Sequence, residues 1–171
     1  MRIDKDHLYH GAALIQIAEH PQFTAINSLR IDGVPLSNSY KINDGIGVHL
    51  KYASKPTNSL DEYPFTFHQD VLRELAETNK VVDKLFIALV CVEDMEICCL
   101  AYDELCELVE KRRARKGSEE TQYVILVTAH TGKRLRAYIK APGMRKTPLG
   151  RPRVIGRSVY PRVLFESRAE V

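Results

Sequence analysis

The sequence contains no tryptophan, and only four of its 171 residues are cysteine. The four cysteines are Cys91, Cys98, Cys99 and Cys106, and none of them forms a C-x2-C pair, the spacing common in zinc sites. Residues 91, 98 and 99 lie in apolar runs. We therefore predict that they are free thiols buried in the core.

Long hydrophobic runs and recognised catalytic signatures are also missing. No apolar stretch approaches the length of a membrane span, and the polar start "MRIDKDHLYH" lacks the apolar segment of a secretory signal. We therefore expect a cytoplasmic protein with no membrane partner. The absence of G-x-S-x-G and G-x-x-x-x-G-K-[ST] motifs leaves serine-type acyl transfer and nucleotide hydrolysis without support.

Charge is unevenly distributed along the chain. Residues 1–110 hold nine Lys or Arg and 18 Asp or Glu, whereas residues 111–171 hold 16 Lys or Arg and four Asp or Glu, so the two regions carry net charges of −9 and +12. Such a division favours either a basic surface for an anionic partner or two regions of one molecule that attract each other.

Hydrophobic periodicity predicts a mixed α/β fold. Helical patterns cover residues 6–20, 68–79 and 103–116, with Asp6 and Asp103 as predicted caps. Strand patterns cover residues 23–31, 39–43, 46–53, 65–67, 85–92, 96–102, 122–129 and 133–140, with a further short strand near "RVLFE". We expect one α/β domain over residues 1–141 and a basic Pro/Gly-rich extension over 142–171, packed on the domain or trailing from it.

The hairpin strand "IGVHLKYA" has two distinct faces. Residues i and i+2 of a strand point to the same side, so Gly47, His49 and Lys51 share one face. A helix, a three-stranded meander ending in x-x-Lys, a second helix and a very apolar strand together span residues 6–116. This order resembles the PD-(D/E)XK, or restriction-endonuclease-like, nuclease superfamily, with its α-β-β-β-α-β core.

The resemblance implies a metal-dependent nuclease centre. In that family an Asp and the acid of acid-x-Lys hold a divalent metal such as Mg²⁺ or Mn²⁺, which activates water for phosphodiester attack. Here Lys51 matches the lysine, either Asp44 or Asp32 matches the first acid, and His49 replaces the second. Imidazole is a poor substitute for an oxygen ligand of Mg²⁺, so the resemblance implies a degenerate or inactive site with Asp44, His49 and Lys51 as its catalytic residues.

Cations and an aromatic residue alternate with apolar residues in "KRLRAYIK". Arg134, Arg136, Tyr138 and Lys140 share one strand face, which suits either a phosphate backbone with a stacked base or the solvated face of a sheet. Arg151 and Arg153 extend the basic character into the following segment. By contrast, "EKRRARKG" is a helix end, where cations oppose the helix dipole.

Two functions follow from these patterns. The first is a nuclease-like domain that binds DNA or RNA. The second is a non-catalytic module on the same fold that binds a protein partner. Folding of the basic C-terminal region onto the acidic body favours the second, because no anionic partner is then needed.

Overall fold

A computed structural model describes residues 1–167 and confirms the mixed α/β class. The elements, in chain order, are α1 Lys5–Ala18, β1 Ile26–Ile31, β2 Val34–Ile42, β3 Ile46–Ala53, β4 Glu62–His68, α2 Gln69–Val81, β5 Lys84–Cys91, β6 Glu96–Ala101, α3 Tyr102–Lys116, β7 Gln122–Thr128, β8 Leu135–Tyr138, β9 Arg153–Ile155 and a 3₁₀ helix Arg162–Phe165.

Five strands form the first sheet in the order β1-β2-β3-β5-β6. The first three make an antiparallel meander, and β5 then pairs with β3 in parallel over the whole of both strands. A parallel neighbour needs a long crossover, which β4 and α2 supply. Strand β6 returns antiparallel to β5 and ends the sheet.

The second sheet is entirely antiparallel, with four strands in the order β4-β7-β8-β9. Alternate residues of β4 and β7 are buried aromatic or aliphatic side chains, so one face of this sheet belongs to the core. The opposite face, called here the outer face, carries Glu62, Thr128, Arg136 and Tyr138 in neighbouring register. This face positions the candidate site.

Two hydrophobic cores lie against the first sheet. The larger unites buried residues of β5 and β6 with those of the second sheet, α2 and α3. The smaller joins Ala13 and Ile17 of α1 to β3 and β5. Neighbouring residues of a strand point to opposite sides, so Cys98 belongs to the larger core and Cys99 to the smaller. Cys91 is also buried, as predicted for these three thiols.

Each helix starts within one residue of the sequence prediction, but the two predicted caps are wrong. Asp4, not Asp6, caps α1: its carboxylate accepts from the His7 backbone N–H at 2.9 Å. Helix α3 begins after Ala101, whose N–H donates to the Glu104 carboxylate at 3.0 Å, so Asp103 is not its cap. Gly117 ends α3 in the left-handed conformation, as the sequence predicted.

The C-terminal segment follows a different path from the one predicted. The expected strand near "RVLFE" is wrong, because residues 162–165 form a 3₁₀ helix. The strand of this segment is instead β9, which pairs with β8. Ile155 enters the larger core, while Tyr160 and Leu164 enter the smaller one. Residues 168–171 of the predicted extension lie outside the described residues.

Candidate functional site

The face of β3 that carries His49 and Lys51 points toward the second sheet. His49 is buried, and its Nδ1 lies 2.8 Å from the hydroxyl of Ser39 on the neighbouring strand. Burial, and then the charges of Lys51 and His10, lower the pKa of His49 to about 3. His49 is therefore a neutral side chain held within the sheet at ordinary pH.

Lys51 lies over an aromatic ring. Its Nζ is 5.0 Å from the centre of the Phe67 ring, and it forms no ion pair with any residue of the described chain. Burial lowers the pKa of this amine. The contact is a cation–π interaction, which holds the lysine without a carboxylate beside it.

The two predicted aspartates lie in turns, at opposite ends of β2. Asp44 lies in the turn before β3, seven residues from Lys51, and seven extended residues span about 20 Å. Asp32 lies in the turn before β2, at the opposite end of that strand from Asp44. The nine residues of β2 thus separate the two aspartates, and the shared metal site implied by the nuclease resemblance stays a prediction.

Within residues 1–167, no three His, Cys, Asp or Glu side chains form a group that could hold a metal ion. The described chain therefore offers no alternative ligand set to the one implied by the resemblance.

The predicted alternation in "KRLRAYIK" is present. Leu135, Ala137 and Ile139 are buried in the larger core, and Arg136 is exposed on the outer face of the second sheet. Tyr138 and Lys140 lie on the same outer side but are turned toward a carboxylate, that of Glu62. Arg134 and Arg151 are exposed, whereas Arg153 is half-buried beside α3.

Glu62 is the centre of a buried polar cluster. Its carboxylate is fully buried and accepts from the Tyr138 hydroxyl, from Asn58 Nδ2 at 2.7 Å and from Lys140 Nζ at 2.9 Å. Burial opposes the charged form, but these three hydrogen bonds outweigh it and lower the pKa of Glu62. Lys140 also donates to the Arg145 carbonyl, so the cluster holds the segment after β8 in place.

A cleft with two lobes opens above this cluster. The larger lobe has a volume of about 690 Å³, the smaller about 370 Å³, and Leu60, Glu62 and Lys146 line both. The segment 141–146 forms one wall of the larger lobe, while Arg136 and His130 line the smaller one.

Cations in the C-terminal third divide into two groups. Seven of the fifteen Lys and Arg between residues 111 and 167 pair with acids, including Arg153 with Glu104 at 3.0 Å and Arg157 with Glu96 at 2.7 Å. The other eight form no ion pair with any residue that the structure describes. Four of these eight line the cleft: Lys133, Arg136, Arg145 and Lys146.

The sequence indicated part of this cleft and missed its centre. Arg136, Tyr138 and Lys140 were predicted from strand alternation. Glu62 gave no signal, because a carboxylate at the start of a short strand is usually solvated, and its partner Tyr138 lies 76 residues away. Lys133 is the first residue of the predicted strand 133–140, where alternation assigns it to the inner face with Leu135, but the observed strand begins only at Leu135 and Lys133 lies exposed before it.

No family model, curated protein or solved structure matches the chain. No helix in residues 1–167 is both long and apolar enough to cross a membrane. Function is therefore inferred from the geometry and charge of the cleft.

Proposed function

We propose that this protein binds nucleic acid, DNA or RNA, through the cleft on the outer face of the second sheet. One observation carries the proposal: Lys133, Arg136, Arg145 and Lys146 line one concave surface and form no ion pair within residues 1–167. Cations held together without acidic partners attract a polyanion, and phosphate contacts supply most of the affinity of nucleic-acid binding.

The cluster beneath the cleft supports this proposal. Glu62 accepts from three donors, and one of them, Lys140, carries the positive charge that balances the carboxylate and reduces its repulsion of phosphate. Arg153 and Arg157 are excluded from the proposed contacts, because Glu104, Glu107 and Glu96 hold them. The C-terminal region thus uses some of its cations to bind the acidic body and leaves others for a ligand.

We propose binding and not cleavage, because most of β3 separates Asp44 from Lys51. Cleavage with Mg²⁺ or Mn²⁺ stays a prediction from the nuclease resemblance, and the cytoplasmic location stays a prediction from the polar start of the sequence. An assay with both metals on single- and double-stranded substrates, with Lys51→Ala beside the natural protein, tests cleavage separately.

Filter binding over a salt series tests the proposed function. We expect affinity for a short oligonucleotide to fall steeply between 50 and 200 mM salt, because each phosphate contact releases counterions. The double variant Arg136→Gln, Lys146→Gln removes two contacts and makes the slope of log K against log salt shallower by about 1.5.

The matched control is Arg73→Gln, Lys80→Gln, which removes the same charge from exposed positions on α2. We expect this control to leave the slope unchanged. An equal loss of affinity in both double variants would show that binding depends on the net charge of the protein and not on the cleft. Absent binding, or binding that is flat with salt, would reject the proposed function.

A protein partner is the second candidate. A groove of about 570 Å³ lies between α2 and α3, with Leu72, Ala76, Leu105 and Val109 among its lining residues and charged groups at its margin. Apolar grooves between helices are typical sites for a partner segment. Flat or absent binding of oligonucleotides in the salt series would favour this groove as the functional surface.

A further inference from the structure

The larger lobe of the cleft has an apolar lining beneath its charged rim. Leu60 is 39% exposed and Met144 is 51% exposed, and they line this lobe together with Leu126 and Ala141. Single exposed apolar side chains are normal at a protein surface, but a concave group of them beside several cations is a feature of ligand sites. The lobe therefore suits a ligand with an apolar flat part and an anionic part.

One wall of the lobe is fixed before any ligand arrives. The turn that carries Leu60 is closed by Thr57 N–H donating to the Glu62 carbonyl at 3.1 Å and by Asp61 N–H donating to the Asn58 carbonyl at 3.1 Å. The Asn58 side chain also accepts from the Leu60 N–H at 2.9 Å while its amide donates to Glu62. Leu60 is thus held by the same buried cluster that organises the cleft.

The opposite wall is fixed in a similar way. Ala141 N–H donates to the Thr147 carbonyl at 3.1 Å, and Met144 N–H donates to the Ala141 carbonyl at 3.0 Å. Lys140 contacts both this wall, at the Arg145 carbonyl, and Glu62 beneath it. A preformed pocket loses less conformational entropy when it binds, which favours specific seating of a ligand.

We infer that the cleft binds a single strand, with one unstacked base seated between Leu60, Leu126 and Met144. This inference rests on the proposed function. A duplex keeps its bases paired and stacked, so only a single strand or an extruded nucleotide can fill an apolar pocket. Arg145 and Lys146 at the same lobe, and Arg136 and Lys133 at the next, contact the phosphates on either side of that base.

Fluorescence anisotropy with a labelled 12-nucleotide single strand, and with the same sequence in a duplex, tests this inference. At 50 mM salt we expect the single strand to bind at least tenfold more tightly. The variant Leu60→Ser, Met144→Ser should weaken single-strand binding about tenfold, because the base then buries less apolar surface against the lobe. Its salt slope should stay unchanged, because no phosphate contact is lost.

The control variant is Leu8→Ser, Ile15→Ser, which changes two apolar residues of similar exposure on α1. It should bind the single strand as the natural protein does. Equal affinity for single strand and duplex, or full single-strand affinity in Leu60→Ser, Met144→Ser, would overturn the inference and leave the proposed function standing. Failure of both oligonucleotides to bind would reject the two together.

Discussion

Glu62 couples the stability of the cleft to a single buried charge. Its three donors come from a loop, a strand and the start of the segment after that strand, so one carboxylate joins parts that are distant in sequence. A buried charge is tolerated only when its hydrogen-bonding capacity is filled. Removing one partner of this cluster alone therefore lowers the free energy of unfolding, because it leaves a buried polar group without its hydrogen bond.

We predict that Glu62→Leu lowers the free energy of unfolding by about 3 kcal/mol or more, because it leaves Lys140 without its counterion. The paired variant Glu62→Leu, Lys140→Met should recover part of this loss, since replacing both partners of a buried pair is often nearly neutral. Urea unfolding of both variants measures the difference. A paired variant no more stable than Glu62→Leu would show that the ion pair is not the source of the loss.

His49 gives the stability of this protein a dependence on pH. Folded His49 keeps its pKa at about 3, whereas the unfolded side chain titrates near 6.5. Between these values only the unfolded chain binds the proton, so the contribution of His49 is complete above pH 6.5 and is lost progressively as the pH falls toward 3. The slope from this one group is about 1.4 kcal/mol per pH unit.

We predict that His49→Asn flattens the dependence of the free energy of unfolding on pH between 6.5 and 5. Asparagine keeps a polar atom near the position of Nδ1 for Ser39 but cannot take up the proton. Urea unfolding at several pH values compares the slopes, with exposed His68→Asn as the control that retains the natural slope. A slope unaltered in His49→Asn would mean that His49 is protonated in the folded protein.

At the scale of elements, the turn before β3 contacts the junction between α2 and β5. The Gly45 carbonyl accepts from the N–H of Asp83 at 2.8 Å and from that of Lys84 at 3.2 Å. A side chain at Gly45 would place its Cβ 2.8 Å from Asp83 Cγ, which is too close for carbon atoms. The parallel pairing of β3 with β5 begins beside this contact.

We predict that Gly45→Ala lowers the free energy of unfolding by about 1–2 kcal/mol, because the added methyl group displaces Asp83. Gly11→Ala is the matched control. Gly11 lies within α1 and a Cβ there meets nothing within 4 Å, so alanine should stabilise the helix by about 0.5–1 kcal/mol. Thermal unfolding that moves both variants in the same direction would contradict this account.

The positions of helices and strands could be predicted where the hydrophobic periodicity was strong and where residues close in sequence determine the element. The continuous apolar run of β5 and the alternation of β3 and β8 each predicted a strand near its observed place. Strand β9 has only three residues, too few for an alternation pattern. The helical turn after Pro161 was mistaken for a strand because its apolar residues are consecutive.

The sequence predicted the residues of the candidate site less completely than it predicted the fold. Strand alternation correctly placed His49 beside Lys51 on one face, but it could not place the turns, and the acids of the expected metal site lie in turns. Glu62 was invisible for a related reason. Its burial depends on β4 pairing with β7 and on β7 pairing with β8, and these register choices are made over long separations.

At the scale of the whole molecule, the cations of the C-terminal region attach this region to the acidic body and also line the cleft. Arg157 pairs with Glu96 and donates to the carbonyls of Lys133 and His130, so one cation fastens the C-terminal segment to both sheets. Tyr160 extends the attachment to α1 by donating to the Ala13 carbonyl at 2.6 Å. The segment after residue 141 is therefore a structural part of both cores as well as a wall of the cleft.

The adjacent thiols Cys98 and Cys99 can report whether the two hydrophobic cores unfold together or separately. One sulfur is sealed in the larger core and the other in the smaller, although the two residues share a peptide bond. A thiol-reactive dye can label exposed Cys106 in the folded protein, whereas each buried sulfur reacts only when the core that contains it opens by local unfolding. Equal labelling times at Cys98 and Cys99 would identify one cooperative unit, and unequal times would rank the two cores by their rates of opening.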